Sequence, residues 1–493
     1  MNLLLSYIIL IIYSLAILLI FLYSLAQLNL LINYLKSKKK NVYHHKFNFD
    51  NQIEIPFVTI QLPIYNEKYV VERLLYCISK LNYESSKLEI QVLDDSTDDS
   101  IIETQKIIND LKNTGLNINH IIRKNRIGYK AGALKEGLAI AKGDFIAIFD
   151  ADFLPKQNWL LETIPYFKNE KIGVVQTRWS HINRNYSVLT KIQAFALDAH
   201  FTLEQTGRNS KKHCINFNGT AGVWRKSCIL DAGNWESDTL TEDLDLSYRA
   251  QLKNWEFIYL EDVETPAELP AMLSAARSQQ FRWNKGGAEN FVKIGLKVFK
   301  SKTISTKTKF HALLHLLNSS MFLCIFTMAF FSVPMLFVKN YFSHIKWFFD
   351  MMAFFIITSV VFFTCYWFTY KKIHGGGYKN FIKYIGLFFT FYTIAMGFSF
   401  QNTVAVLEGF IGKKSEFVRT PKFNIETLKD KWKDNIYITK RISKNTIIEF
   451  LLVLYFTFGL YSGYILNDFG LVPFHLMLII GYSYVVVQSL KSN

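Results

Sequence analysis

The stretch FIAIFDAD, residues 145–152, decides how this chain is read. An uncharged run of five residues has the length and character of a buried strand, and two acids spaced i, i+2 follow it at once. Working outward, similar apolar runs stand at 57–62, 88–93, 118–122 and 172–177, and helical periodicity fills 68–81, 98–111 and 129–141. Strands that alternate with helices predict an α/β fold with a mostly parallel sheet. In such sheets ligands sit in the crevice at the carboxyl ends of the strands, where Asp94-Asp95 and Asp150-Ala151-Asp152 are expected.

The 493 residues are 50% hydrophobic and 16% aromatic, enough for one sizeable α/β domain and several membrane spans. Residues 1–35 carry no charged side chain, and a helix of that length rises about 50 Å, more than a hydrocarbon core needs. The basic run Lys36, Lys38, Lys39, Lys40 comes after this stretch, the reverse of a cleaved leader, and places the chain beyond Lys36 in the cytosol. Further apolar segments lie at about 311–338, 347–370, 380–410, 446–466 and 470–489. The loop 411–445 holds ten Lys or Arg against four Asp or Glu, and 380–410 carries Gln401, Asn402 and Glu408 near its end. Segment 380–410 is therefore expected to lie at the interface or re-enter, leaving five spans.

The resulting organisation is a membrane helix at 1–35, a basic linker at 36–55 and a cytosolic α/β domain at 56–308. Membrane helices with the interfacial segment follow at 309–410, then a basic cytosolic loop at 411–445 and a last pair of spans at 446–493. This describes a multi-pass protein of the inner or plasma membrane with membrane lipid as a partner. The net charge of +16 clusters beside apolar stretches and is read as topology, with no nucleic-acid partner expected. Five scattered cysteines without a C-x-x-C pair indicate neither a disulfide framework nor a zinc site.

Chemistry-bearing residues fall into an ordered set. Asp150 and Asp152, one strand period apart, offer two carboxylates to a hard cation such as Mg²⁺ or Mn²⁺ bridging a diphosphate. Asp94 and Asp95 end the preceding strand and are expected to meet a base or ribose, whereas Asp98 and Asp99 cap the next helix. Lys130 opens a helix and is a candidate for diphosphate oxygens. Asp243, in Thr241-Glu242-Asp243, is the candidate general base; Glu242 and Asp245 are ordinary first-turn acids of a helix. Gln279, Arg282 and Trp283 share a helical face suited to diphosphate and a sugar ring.

Taken together, these signatures resemble the processive family-2 glycosyltransferases, close to the plant cellulose-synthase-like mannan and glucan synthases. The likeness covers about residues 55–425. It includes NFNGTAGVWRK at 216–226, similar to the family's acceptor-side segment, and Phe417 to Lys422, similar to the gating loop of cellulose synthases. The resemblance implies a GT-A-type nucleotide-sugar-binding domain on a helical membrane bundle. Donor binding would fall to Asp94, Asp95, Lys130, Asp150, Gln279, Arg282, Thr420 and Lys422, and acceptor binding to Asn218, Gly219, Thr220 and Trp283. Metal would be held by Asp150 and Asp152, with Asp243 as base. Two departures stand out: Arg419 replaces the loop's usual Val, and Phe153 follows the D-x-D where bacterial cellulose synthases resemble one another in having His.

The implied activity is inverting transfer of a hexose from UDP-glucose or GDP-mannose to a growing polysaccharide, with extrusion through the bundle as a further expectation. The alternative is a monofunctional glycolipid transferase of the ceramide-glucosyltransferase type, acting on a lipid-linked acceptor; it has no reason to keep a gating loop. A transport or scaffold protein with a dead transferase domain predicts a lost acidic signature, and all of them are intact.

Overall fold

The computed structural model describes residues 3–39, 55–342, 346–425, 427, 430, 435–437 and 443–491, so parts of the expected linker and basic loop lie outside the described residues. Seven strands form one sheet: β1 (Val58–Ile64), β2 (Leu88–Asp94), β3 (Ile118–Ile122), β4 (Phe145–Ile148), β5 (Ile172–His181), β6 (Gly222–Arg225) and β7 (Glu256–Ala267). Their order is β3-β2-β1-β4-β6-β5-β7. All neighbouring pairs are parallel except those made by β6, which runs antiparallel to both β4 and β5. The fold is thus α/β with a mostly parallel sheet.

Helices cover both faces, so strands such as β2 are buried at every position. One face is not oily throughout. Thr59 donates to Glu89 at 2.8 Å and Gln61 to Gln91 at 3.0 Å, pairing polar side chains that would be costly alone in the core. The helix Tyr129–Ile140 crosses this ladder at Gly137, where a Cβ would come within 2.6 Å of the Gln61 amide.

Beyond the sheet, the helix Leu273–Lys300 leads into the apolar part of the chain. Among the described residues, five helices are long and apolar enough to cross a membrane: 3–37, 320–341, 347–374, 444–465 and 472–491. The expected segment 311–338 is in fact divided, because the helix Thr306–Leu316 ends before Ser320–Tyr341 begins. Region 380–410 is two helices, Tyr378–Gly397 and Ser399–Phe410, bent by 53°. Its polar side chains bond to protein: Gln401 donates to the Arg277 carbonyl, Asn402 to Gln280, and Glu408 pairs with Lys285 and Lys413.

Candidate active site

A cleft of about 190 Å³ opens where β1, β2 and β4 end. The helices Glu242–Leu252 and Leu273–Lys300 close its far side, and residues 417–422 lie across its mouth.

Asp95 lines this cleft and Asp94 does not. Successive side chains of a strand point to opposite faces, so two adjacent acids at the end of β2 cannot both look into one site. Asp94 is fully buried, accepts the Ser96 N–H at 2.8 Å and faces His120 Nε2 at 2.8 Å. Its expected donor contact is therefore corrected to a structural one. Asp95 is held bidentately by Arg123, which follows β3 and also donates to the carbonyls of Ile127 and Tyr129. Beside it, Arg126 lies flat on the Tyr65 ring at 3.4 Å.

The two D-x-D carboxylates also sit differently from the expected strand alternation. β4 stops at Ile148, so Asp150 to Asp152 occupy the turn beyond it. Each carboxylate already faces a cation: Lys130 donates to Asp150 at 2.5 Å and Lys422 to Asp152 at 2.7 Å. Burial works against the charge on Lys130, but Asp150 and Glu242 more than offset it, so this ammonium is stabilised. Two hard oxygen donors that attract ammonium groups this closely suit a divalent cation. Thr220 is buried and lies outside the cleft lining; its hydroxyl accepts the Asp150 N–H at 2.9 Å and fixes the turn from behind.

Asp243 stands in the first turn of its helix, on the cleft wall, next to Gly219. Gly219 has φ +79°, and a Cβ there would stand 3.2 Å from the Asp243 carboxylate. Burial, and next the neighbouring Glu242, push the Asp243 carboxyl up to about 7, with Lys130 pulling the other way. Glu242 is raised as well, chiefly by burial. Asp245 points elsewhere, pairing with Arg249 and Lys293.

Gln279, Arg282 and Trp283 all reach the cleft from one helix. Arg282 donates to the Val418 carbonyl and, at 3.1 Å, to the Thr420 hydroxyl, and its guanidinium covers the Phe417 ring at 4.7 Å. Burial lowers it to about 10. Trp283 lines the cleft and stays 37% exposed.

Among the described residues, a group of three carboxylates within metal-binding reach lies elsewhere, at Glu236, Asp238 and Asp245. Lys293 fills it, with its ammonium 2.6, 2.7 and 2.9 Å from the three. That cluster is a salt-bridge network closed by the protein's own cation.

Residues 56–286 match the family described as glycosyltransferase-like family 2. That match spans just under half of the chain. Over 263 residues the chain is 44% identical to a probable glucomannan 4-beta-mannosyltransferase of Oryza sativa, covering 52% of this chain and 48% of the relative. It is 41% identical over 263 residues to a glucomannan 4-beta-mannosyltransferase of Arabidopsis thaliana, covering 52% and 47%. The chain spans about half the length of these curated relatives. A mannosyltransferase from Pyrobaculum calidifontis, solved in complex with GDP-Man and Mn²⁺, superposes with a TM-score of 0.51 at 17% identity, over 80% of this chain and 100% of that one. The seven-stranded α/β domain shares that enzyme's fold.

Several residues of the site escaped the sequence reading. Arg126 lines the cleft and Arg123 holds Asp95 from behind; both follow β3 and were findable from the rule that sites gather at strand ends. Glu67, pushed up to about 7 by burial, and Glu268 gave no such signal; both become visible only when Arg419 pairs with the first and the Phe423 N–H with the second.

Proposed function

We propose that this chain is a membrane-bound inverting hexosyltransferase that moves mannose from GDP-mannose onto a β-linked polysaccharide acceptor. The observation that carries the reading is Asp243: a carboxyl raised to about 7, on the wall of the cleft that also holds Asp95, Asp150, Asp152, Arg282 and Trp283. A base works best when its pKa lies near the ambient pH, and Asp243 meets that condition. It takes the proton of the acceptor hydroxyl as that oxygen attacks the anomeric carbon from the face opposite the leaving nucleotide. Inversion follows, with no covalent sugar intermediate.

Asp95, positioned by Arg123, holds the nucleoside end, and the guanidinium of Arg282 with Lys130 balances the diphosphate charge. Asp150 and Asp152 would hold Mg²⁺ or Mn²⁺, which supplies Lewis-acid stabilisation of the leaving diphosphate. Phe417 and Thr420 cover the site and keep water from competing with the acceptor. The mannose and polysaccharide assignment draws on the names of the plant relatives and of the Pyrobaculum enzyme. Incubating membranes that carry the full chain with single labelled nucleotide sugars, and sizing the product, tests it.

A further inference from the structure

Residues lining the cleft follow the order of the sheet: Arg126 comes after β3, Asp95 after β2, Tyr65 after β1, Asp150 and Asp152 after β4, and Asn218 before the antiparallel β6. β3 and β4 lie three strand spacings apart, roughly 14 Å. A nucleotide sugar whose diphosphate meets the carboxylates beyond β4 and whose sugar reaches Asp243 directs its base toward Asp95 and Arg126. A left-handed turn holds Arg126 at that end. Its carbonyl accepts the Tyr129 N–H at 3.0 Å, with Gly128 at φ +74° and Tyr129 at φ +49°. The left-handed region is rare for a residue as bulky as tyrosine, and residues forced into it gather at functional sites. The turn sets the Tyr129 ring 5.0 Å from the Arg126 guanidinium, which also stacks on Tyr65 at 3.4 Å. Tyr129 in turn stacks on Phe417 at 5.8 Å, so the loop across the mouth bears on this arginine through one aromatic ring.

The other arginines around the cleft are engaged by protein. Arg123 grips Asp95, Arg419 pairs with Glu67, and Arg282 donates to the Val418 carbonyl and the Thr420 hydroxyl. Arg126 differs: among the described residues nothing accepts a hydrogen bond from its side chain, no carboxylate pairs with it, and its Nε is buried without a partner. Burial works against its charge and lowers its pKa, with Tyr65 and Asp95 offsetting this in part. A guanidinium carries its donors in a fixed planar fork, and stacking on a ring leaves the edge of that fork free. Buried donors without acceptors are unfavourable, so this edge marks a place where the acceptors of a ligand belong. The fork matches two neighbouring acceptors, and N7 and O6 of guanine are such a pair. Uracil has none, because its O4 stands between N3–H and C5–H. Diphosphate oxygens also suit a guanidinium, but Lys130, bound to Asp150, already serves them at the β4 end.

Resting on the hexosyl-transfer reading above, we propose that Arg126 selects guanine over uracil, its fork donating to N7 and O6 of the donor's base while Tyr65 and Tyr129 hold the guanidinium in place. The test titrates the full chain in nanodiscs with GDP, UDP and 7-deaza-GDP, each with Mn²⁺, by calorimetry. Wild type binds GDP about 5- to 150-fold more tightly than UDP, the worth of one bidentate contact to guanine, and binds 7-deaza-GDP, which lacks the N7 acceptor, more weakly than GDP. Arg126→Ala brings GDP and 7-deaza-GDP to equal affinity and leaves UDP within twofold of wild type. In transfer assays the same variant raises the KM for GDP-mannose by the factor lost in GDP affinity, with kcat within twofold, and Tm reports that it is folded. If Arg126→Ala weakens GDP and UDP alike, the arginine serves the phosphates and this inference is overturned. It is overturned too if the variant weakens neither, or if wild type prefers UDP or binds GDP and 7-deaza-GDP equally; in each of these cases the hexosyl-transfer reading stands. If wild type binds neither GDP nor UDP, that reading falls and this inference with it.

Discussion

The ammonium of Lys422 lies 2.7 Å from the carboxylate of Asp152, 270 residues earlier in the chain. This contact does not act alone in holding the loop. Arg419, the residue that departs from the usual gating-loop pattern, donates to the carbonyls of Tyr65 and Asn66 and pairs with Glu67 at 2.9 Å. Tyr437 donates to Asp98 at 2.5 Å. With the loop down, the cleft measures about 190 Å³, below the roughly 300–1,000 Å³ of ordinary ligand sites. A loop that gates the site is then expected to lift, with Lys422 leaving Asp152, when donor binds.

Replacing Phe417 and Thr420 together by Ala keeps every charge but removes the ring under Arg282 and the hydroxyl it binds. Transfer is expected to slow by about tenfold or more, and limited proteolysis within 411–423 to lose its dependence on added nucleotide. A variant with wild-type turnover, measured as labelled sugar incorporated per minute, would reduce the loop to a lipid-contacting tether.

Metal dependence follows from the two carboxylates that each attract an ammonium. Asp152→Ala should weaken Mn²⁺-dependent nucleotide binding by at least the 10- to 100-fold, roughly, that loss of an outer metal partner costs. Titration calorimetry with and without Mn²⁺ reads the difference. Full turnover in excess chelator would contradict the assignment.

Asp243→Asn removes the base and keeps the shape. Turnover should fall by about 10²-fold or more, while GDP affinity stays within twofold, because the acceptor and not the donor meets this group. Residual activity within tenfold of wild type would move the base elsewhere.

The same residue makes a stability prediction. Burial and Glu242 hold Asp243 protonated up to about 7, whereas in the unfolded chain it ionises near 4. Between those values the folded state binds more protons, so stability falls as pH rises through the window. Asp243→Asn should therefore melt higher than wild type at pH 8 and match it at pH 4. The acid limb of the wild-type kcat/KM profile should lie near 7, and a limb near 4 would show an ordinary carboxylate instead.

How much of this was legible beforehand varies by residue. β1 to β5 announced themselves as apolar runs, and Asp95, Asp150, Asp152, Asp243, Gln279, Arg282 and Trp283 converge on one cleft as their motif positions suggested. β6 is four residues long and antiparallel, too short for periodicity to register. β7 carries Glu256, Glu261, Asp262 and Glu264, charges that mask a strand whose outer edge has no neighbour in the sheet. Asp94 was misplaced because a motif names both acids, while strand geometry admits only one. The Glu67 and Glu268 contacts depend on tertiary proximity, which no local pattern encodes.

The most direct test of the central claim is to supply membranes bearing the full chain with labelled GDP-mannose, UDP-glucose or UDP-GlcNAc in separate reactions with Mn²⁺, and to size and digest the products. The account predicts incorporation from GDP-mannose into water-insoluble or high-mass material that a β-mannanase degrades, and none when Asp243→Asn replaces wild type. Label confined to an organic-extractable lipid, or incorporation that persists in Asp243→Asn, would contradict it.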